Sequence, residues 1–156
     1  MKKTKFSLLF ATLLCLNLNF NSCSNKDDSD IVSSDIKYSE LPSKAQDFIK
    51  DYFSEDLLSR IQLINDDGII IYEVYFIDGT EVAFDKQGDW QEVDAPDGKS
   101  IPLEIVPEAI RETLNTQYPG YGVNEINLTG YGYKVDLVSG LELMFNPLGQ
   151  IIGNDD

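Results

Sequence analysis

The chain repeats itself, and this repeat constrains its fold more than any other feature. Copy one begins at Leu41-Pro42 and copy two at Val106-Pro107, and a proline suits the first position of a helix. Apolar residues then recur at i, i+4 and i+8 in both copies: Ala45, Ile49 and Phe53 in the first, and Ile110, Leu114 and Tyr118 in the second. This spacing predicts one amphipathic helix at the start of each copy, with its apolar stripe facing a core.

Four strands are predicted after each helix, because alternating apolar residues and turn dipeptides follow it. They are expected near 58–64, 69–77, 80–85 and 90–93, and near 123–128, 131–138, 141–145 and 150–152. Asp67-Gly68, Asp78-Gly79 and Ser139-Gly140 are typical of hairpin turns. The copies also match by position: Tyr72, Val74 and Phe76 with Tyr133, Val135 and Leu137, and Gly79, Phe84 and Gly88 with Gly140, Phe145 and Gly149.

The alternation divides the strand residues between two sheet faces. One face carries Tyr72, Val74, Phe76, Val82 and Phe84 and is expected to lie under the helix. The other face is the expected partner-binding face, since it is more apolar than a solvated sheet requires and its acids favour a basic partner. Its residues are Glu73, Tyr75, Ile77, Glu81, Ala83, Lys134, Asp136, Glu142 and Met144.

A family resemblance rests on a set of short motifs between about residue 40 and residue 153. Leu41-Pro42, Tyr72-Glu73-Val74, Asp78-Gly79-Thr80-Glu81, Phe84-Asp85 and Gly88-Asp89-Trp90 resemble the PepSY-like family of exported Bacteroidetes proteins. Copy two departs from the pattern, with Ile151 in place of Trp90 and Asn146-Pro147 in place of Asp85-Lys86. The resemblance implies an α+β fold similar to the beta-lactamase inhibitor protein, built as a tandem repeat of one helix on a four-stranded antiparallel sheet. It implies no catalytic residues, and an inhibitory role would rest on fold likeness alone.

The first 22 residues are typical of a lipoprotein signal peptide. Lys2, Lys3 and Lys5 precede an apolar run that is too short to span a bilayer. Phe20-Asn21-Ser22-Cys23 then resembles a bacterial lipobox, which predicts cleavage before Cys23 and lipidation of that residue. The alternative is an ordinary secreted protein with an unmodified cysteine. We therefore expect an exported outer-membrane lipoprotein that faces the periplasm or the cell surface.

Residues 23–37 are expected to form an acidic flexible tether. Within it, Lys26-Asp27-Asp28 resembles the acidic export signal of Bacteroidetes surface lipoproteins. A calcium loop from Asp28, Asp30 and Asp35 is a further interpretation, although the turn glycine and closing glutamate of an EF-hand are missing. After the tether, repeats 38–95 and 96–156 are expected to form one cooperative domain, since a unit of about 50 residues is marginal alone.

The charge balance excludes several classes of function. The chain has 12 basic and 27 acidic residues and a net charge of −15. Removal of residues 1–22 deletes three lysines, which leaves 9 basic against 27 acidic residues and a charge of −18. Nucleic acid is excluded as a partner because phosphate binding needs clustered cations. The same repulsion means that only the lipid anchor would hold the protein on an anionic membrane.

The sequence contains no histidine, which excludes a Ser-His-Asp triad, and no metalloprotease or nucleotide-binding motif. We therefore expect no enzymatic activity, no catalytic residues, no cofactor and no metal. The favoured function is a non-catalytic binding module for a protein or peptide, including one that inhibits its partner. The alternative is a calcium-dependent glycan binder or a carboxylate-dependent hydrolase that uses a pair such as Glu92 with Asp94. Trp90, the single tryptophan, is either a packing residue or an anchor for the partner.

Overall fold

The computed structural model describes residues 31–120 and 122–155. The signal peptide 1–22, Cys23, the Lys26-Asp27-Asp28 motif and the first part of the tether lie outside the described residues, so these expectations stay predictions. In the described ranges, neither helix has the length and apolar content needed to cross a membrane.

Two α-helices, nine strands and three short 3₁₀ helices make up the described chain. Helix α1 spans Ser43–Tyr52 and α2 spans Glu108–Gln117, each directly after its proline. The strands are β1 (Val32–Asp35), β2 (Leu58–Asp66), β3 (Ile69–Phe76), β4 (Glu81–Asp85), β5 (Trp90–Asp94), β6 (Val123–Thr129), β7 (Gly132–Leu137), β8 (Glu142–Phe145) and β9 (Ile151–Asp155). They form one antiparallel sheet in sequence order, so the fold is α+β.

The first strand differs from the sequence analysis. Val32–Asp35 were expected to belong to the tether 23–37, but they pair antiparallel with β2, from Val32 opposite Asn65 to Asp35 opposite Gln62. All four side chains are exposed, so the pairing depends on backbone hydrogen bonds and leaves no apolar alternation in the sequence. The predicted boundary of the tether at residue 37 is therefore wrong, because Val32–Asp35 already belong to the sheet.

A single sheet joins the two halves of the chain. Strand β5 pairs with β6, with Val93 opposite Ile126, so the structure has one nine-stranded sheet where four-stranded sheets were expected. Trp90 also crosses this junction, since its ring stacks on that of Tyr133 with centroids 6.3 Å apart. It lies on the helix side of the sheet, where its ring is 6.4 Å from that of Phe48. These contacts support the packing interpretation of Trp90.

Both helices cover the same face of the sheet. Ala45 and Ile49 of α1 and Ile110 and Leu114 of α2 are buried there, as their spacing predicts. Phe84 and Phe145 lie beneath the helices at 0% exposure. The predicted core face is thus confirmed for Val74, Phe76, Val82, Phe84, Val135, Leu137 and Phe145, which are all buried, whereas Tyr72 and Tyr133 are only partly buried.

Two turns that contain glycine pack closely against the starts of the helices. Gly88, between β4 and β5, and Gly149, between β8 and β9, have φ values of 83° and 74°. A Cβ on Gly88 would lie 2.7 Å from Cβ of Pro42, and one on Gly149 would lie 2.5 Å from the carbonyl carbon of Ala109. Both turns therefore need glycine for its backbone conformation and for close approach to the start of a helix.

Candidate functional site: the open face of the sheet

The side of the sheet opposite the two helices, which we term the open face, carries the residues predicted to bind a partner. Cross-strand register places eight of the nine there: Glu73 and Tyr75 on β3, Glu81 and Ala83 on β4, Lys134 and Asp136 on β7, and Glu142 and Met144 on β8. The exception is Ile77, because β3 ends at Phe76. Ile77 lies in the following turn, where its amide donates to the Leu57 carbonyl at 2.8 Å and its side chain is 68% exposed.

Five carboxylates form a line across the open face. Glu81, Asp94, Glu125, Asp136 and Glu142 lie directly opposite one another on the neighbouring strands β4 to β8. Neighbouring strands are about 4.8 Å apart, so this carboxylate row is about 19 Å long. Like charges placed directly opposite destabilise a sheet. The row therefore opposes folding, and Lys134 beside Asp136 and Glu142, together with packing on the helix side, offsets this cost.

Sequence reasoning missed the central part of this face. Glu92 and Asp94 on β5 and Glu125 and Asn127 on β6 face the same side, where they connect the predicted residues of the two halves. The alternation around Val93 and Ile126 could have identified them. The sequence does not show that β5 pairs with β6, so it does not place these residues beside the predicted ones.

Tyr75 is held by neighbours on both sides. Its hydroxyl donates a hydrogen bond to the Glu73 carboxylate, and the Arg60 guanidinium lies over its ring, 4.6 Å from the centroid. Burial raises the pKa of Tyr75, and the bond to Glu73 raises it further, so the phenol stays protonated. Burial and the charge of Glu73 also raise the pKa of Glu81, against the opposing effect of Arg60.

Lys134 is the second cation of the open face. Its Nζ lies 3.1 Å from Glu142 Oε2 and 3.5 Å from Asp136 Oδ1. Burial lowers the pKa of Lys134, but the hydrogen bond to Glu142 and the charges of Asp136 and Glu125 outweigh it and leave the pKa raised. The pKa of Asp136 is raised as well, first by burial and then by the charge of Glu125.

Charge on the open face is strongly one-sided. Along β2 to β8 the register places nine carboxylates there against the two cations Arg60 and Lys134: Asp66, Glu73, Glu81, Asp85, Glu92, Asp94, Glu125, Asp136 and Glu142. Beside the carboxylate row lies a cleft of about 170 Å³, between the apolar residues Ile69, Ile71 and Ala83 and the polar residues Asn127 and Lys134. The face thus combines negative charge with a concave apolar area.

The carboxylates lie in a line and do not converge on one point. Among the residues that the structure describes, no group of three or more Asp, Glu, Cys or His side chains is arranged to hold a metal ion. Glu92 and Asp94, the pair considered for hydrolysis, both lie on the open face, two residues apart on β5. This arrangement suits electrostatic attraction along an extended surface.

Comparison with known proteins identifies the family. The family model described as "Putative beta-lactamase-inhibitor-like, PepSY-like" matches residues 70–153. A "putative calcium-regulated periplasmic protein" from Bacteroides thetaiotaomicron is 35% identical, with a TM-score of 0.74 over 80% of this chain and 97% of that one.

Two proteins from Bacteroides vulgatus, each described as a "putative periplasmic protein", are also similar to this chain. One is 30% identical, with a TM-score of 0.74 over 85% of this chain and 100% of its own. The other is 29% identical, with a TM-score of 0.73 over 81% and 99%. No curated protein is significantly similar. Since the family model covers more than half of the sequence, the chain belongs to the PepSY-like, beta-lactamase-inhibitor-like family.

Proposed function

We propose that the protein is a non-catalytic binding module whose open face holds a basic protein or peptide. The carboxylate row carries this proposal. Like charges that lie directly opposite destabilise a sheet, and the row contains four such pairs between β4 and β8, of which Lys134 offsets part of the charge of Asp136 and Glu142. A cationic partner would remove this repulsion on binding. Negative potential of this kind also speeds association and makes it sensitive to salt.

The experiment compares two variants of equal net charge. Glu81→Gln/Glu125→Gln/Glu142→Gln removes three charges from the open face, while Asp47→Asn/Asp51→Asn/Glu112→Gln removes three exposed charges from the helices. The probe is a fluorescently labelled lysine-rich peptide with one central leucine. We expect the first variant to bind it at least about tenfold more weakly than wild type, and the second to stay within about threefold. Equal losses would show that overall charge alone attracts the peptide, and would contradict a site on the open face.

We further propose that the protein is exported and held at the outer membrane by a lipid on Cys23. The lipobox and the short apolar leader support this, and the description of the similar Bacteroides proteins as periplasmic supports export. The tether that follows Cys23 would then begin at the membrane and end before β1. Labelled palmitate should mark the wild-type protein and not Cys23→Ala, and equal labelling of the two would contradict anchoring at this residue.

A second candidate function is regulation of the open face by calcium. The similar protein described as calcium-regulated favours it, as does a row of carboxylates that a divalent cation would partly neutralise. Since these carboxylates do not converge, binding would require side chains to rearrange. Millimolar calcium should then raise the melting temperature more than magnesium at the same ionic strength, because a ligand of the native state stabilises it. Equal shifts of the melting temperature with calcium and with magnesium would show that the ions only screen charge, and would contradict regulation by calcium.

We also propose that residues 38–95 and 96–156 are two copies of one unit. Helix α1 precedes β2 to β5, and α2 precedes β6 to β9. Matched positions have matched roles: Phe84 and Phe145 are fully buried, and Gly88 and Gly149 both approach a helix start. In this view β1 is an addition to the first copy.

A further inference from the structure

The cleft on the open face is formed by residues of very different size. Ala83 lies between Glu73 and Glu92 in the cross-strand register, so a short side chain forms the floor between two long ones. Ile69 and Ile71 of β3 form an apolar wall, and Ile69 is 56% exposed. Strand β5 has a bulge at Gln91, because Ala83 pairs with Glu92 and Phe84 pairs with Trp90. Gln91 therefore lies at the rim of the cleft, where its Nε2 donates to Asp85 Oδ2 at 3.4 Å.

The volume of the cleft suits one side chain. Apolar cavities of about 150 Å³ in proteins accept a molecule of the size of benzene, and this cleft has about 170 Å³. Burial of an aliphatic side chain against Ile69, Ile71 and Ala83 would remove apolar surface of both molecules from water.

The surroundings of the cleft select the occupant. Glu73 and Glu92 flank its floor, and the carboxylate row lies one residue pair further along the strands, about 7 Å away. A second copy of this chain would bring the same carboxylates face to face, which repulsion disfavours. A segment with lysine or arginine beside an apolar residue would neutralise the rim and fill the cleft at once.

We propose that this cleft is the specificity pocket of the open face and accepts one apolar side chain of a basic peptide segment. This inference rests on the proposed function and adds an apolar anchor to it. Charge complementarity attracts any basic segment, and the pocket selects those segments that carry an aliphatic residue between their cations.

The test uses two probes and three variants of the full chain. One probe is the lysine-rich peptide with a central leucine, and the other has serine in place of that leucine. Ala83→Leu fills the cleft, Ile69→Ala removes part of its exposed wall, and Leu148→Ala removes an exposed apolar side chain from the turn between β8 and β9, outside the open face. Thermal melts of all three confirm that each variant is folded.

We expect wild type and Leu148→Ala to bind the leucine peptide at least about tenfold more tightly than the serine peptide. Ala83→Leu should bind the two peptides equally, and Ile69→Ala should show a reduced preference. If wild type binds both peptides equally, the pocket is overturned while the acidic docking face stands. If wild type binds neither peptide, both the pocket and the proposed function are overturned.

Discussion

Phe84 and Tyr75 lie on neighbouring strands but on opposite faces of the sheet. Phe84 is fully buried, whereas Tyr75 is partly covered by Arg60. We expect Phe84→Ala to lower the free energy of unfolding by roughly 3–5 kcal/mol, the usual cost of such a cavity. Tyr75→Ala should lower it by about 1 kcal/mol or less and weaken capture of the basic peptide. Denaturant titration measures both changes. An unfolded Tyr75→Ala variant would show that the register is shifted by one residue.

The raised pKa values of Glu81 and Asp136 predict a pH dependence. A carboxyl whose pKa is higher in the folded state binds its proton more tightly there, so it favours folding most when protonated. That contribution is present below the ordinary carboxyl pKa of about 4 and is lost as the pH rises through the raised folded value. Compared with wild type, Glu81→Gln/Asp136→Asn should therefore melt higher at pH 7 and gain less on acidification. If the melting temperatures of wild type and the double variant changed with pH in parallel between about pH 4 and pH 7, the prediction would be contradicted.

Single-residue patterns were the most predictable part of the molecule. Alternation assigned Val74, Val82 and Phe84 to the core because large apolar residues recur at every second position of β3 and β4. The assignment of Ile77 to the open face was wrong for a physical reason. A strand ends where its cross-strand hydrogen bonds end, and this point can precede the end of the apolar alternation. Only cross-strand pairing shows that point.

The elements were predictable where side chains are buried and missed where they are not. Helices α1 and α2 and strands β2 to β8 follow apolar periodicity. Strand β1 has four exposed side chains, so its pairing with β2 left no mark in the sequence. The irregular start of β6 was missed for a different reason, because the buried residue there, Asn124, is polar and breaks the apolar alternation. Its Nδ2 donates to the carbonyls of Ala95, Pro96 and Lys99.

The packing of a turn against a helix gives a prediction at the level of elements. Gly149 and Gly68 both have positive φ, but a Cβ on Gly68 would meet nothing within 4 Å. Gly68→Ala should therefore cost only the backbone penalty of about 1–2 kcal/mol. Gly149→Ala should cost clearly more, because its Cβ would collide with the backbone of Ala109 at the start of α2. Chemical denaturation separates the two, and equal losses would mean that the turn moves freely away from the helix.

The whole molecule depends on the contact between β5 and β6. The repeat predicted two similar halves in one cooperative domain, but it did not predict which strands would meet. The structure joins Val93 to Ile126 at the centre of the sheet, where both side chains are fully buried. The same contact brings Asp94 opposite Glu125, so it completes the carboxylate row as well. Fold and candidate site are therefore assembled by one strand pair.

This shared strand pair predicts that half the chain will not fold as the whole does. In a fragment of residues 38–95, β5 becomes an exposed edge, Val93 loses its cover and Trp90 loses the ring of Tyr133. The described residues hold no metal cluster that would compensate, and a core of this size is marginal without such support. We expect the fragment to melt broadly or remain unfolded in calorimetry, while residues 31–156 melt in one sharp transition. A sharp two-state transition of the fragment at the temperature of the longer chain would instead establish two independent domains, and the carboxylate row would then be a product of their association.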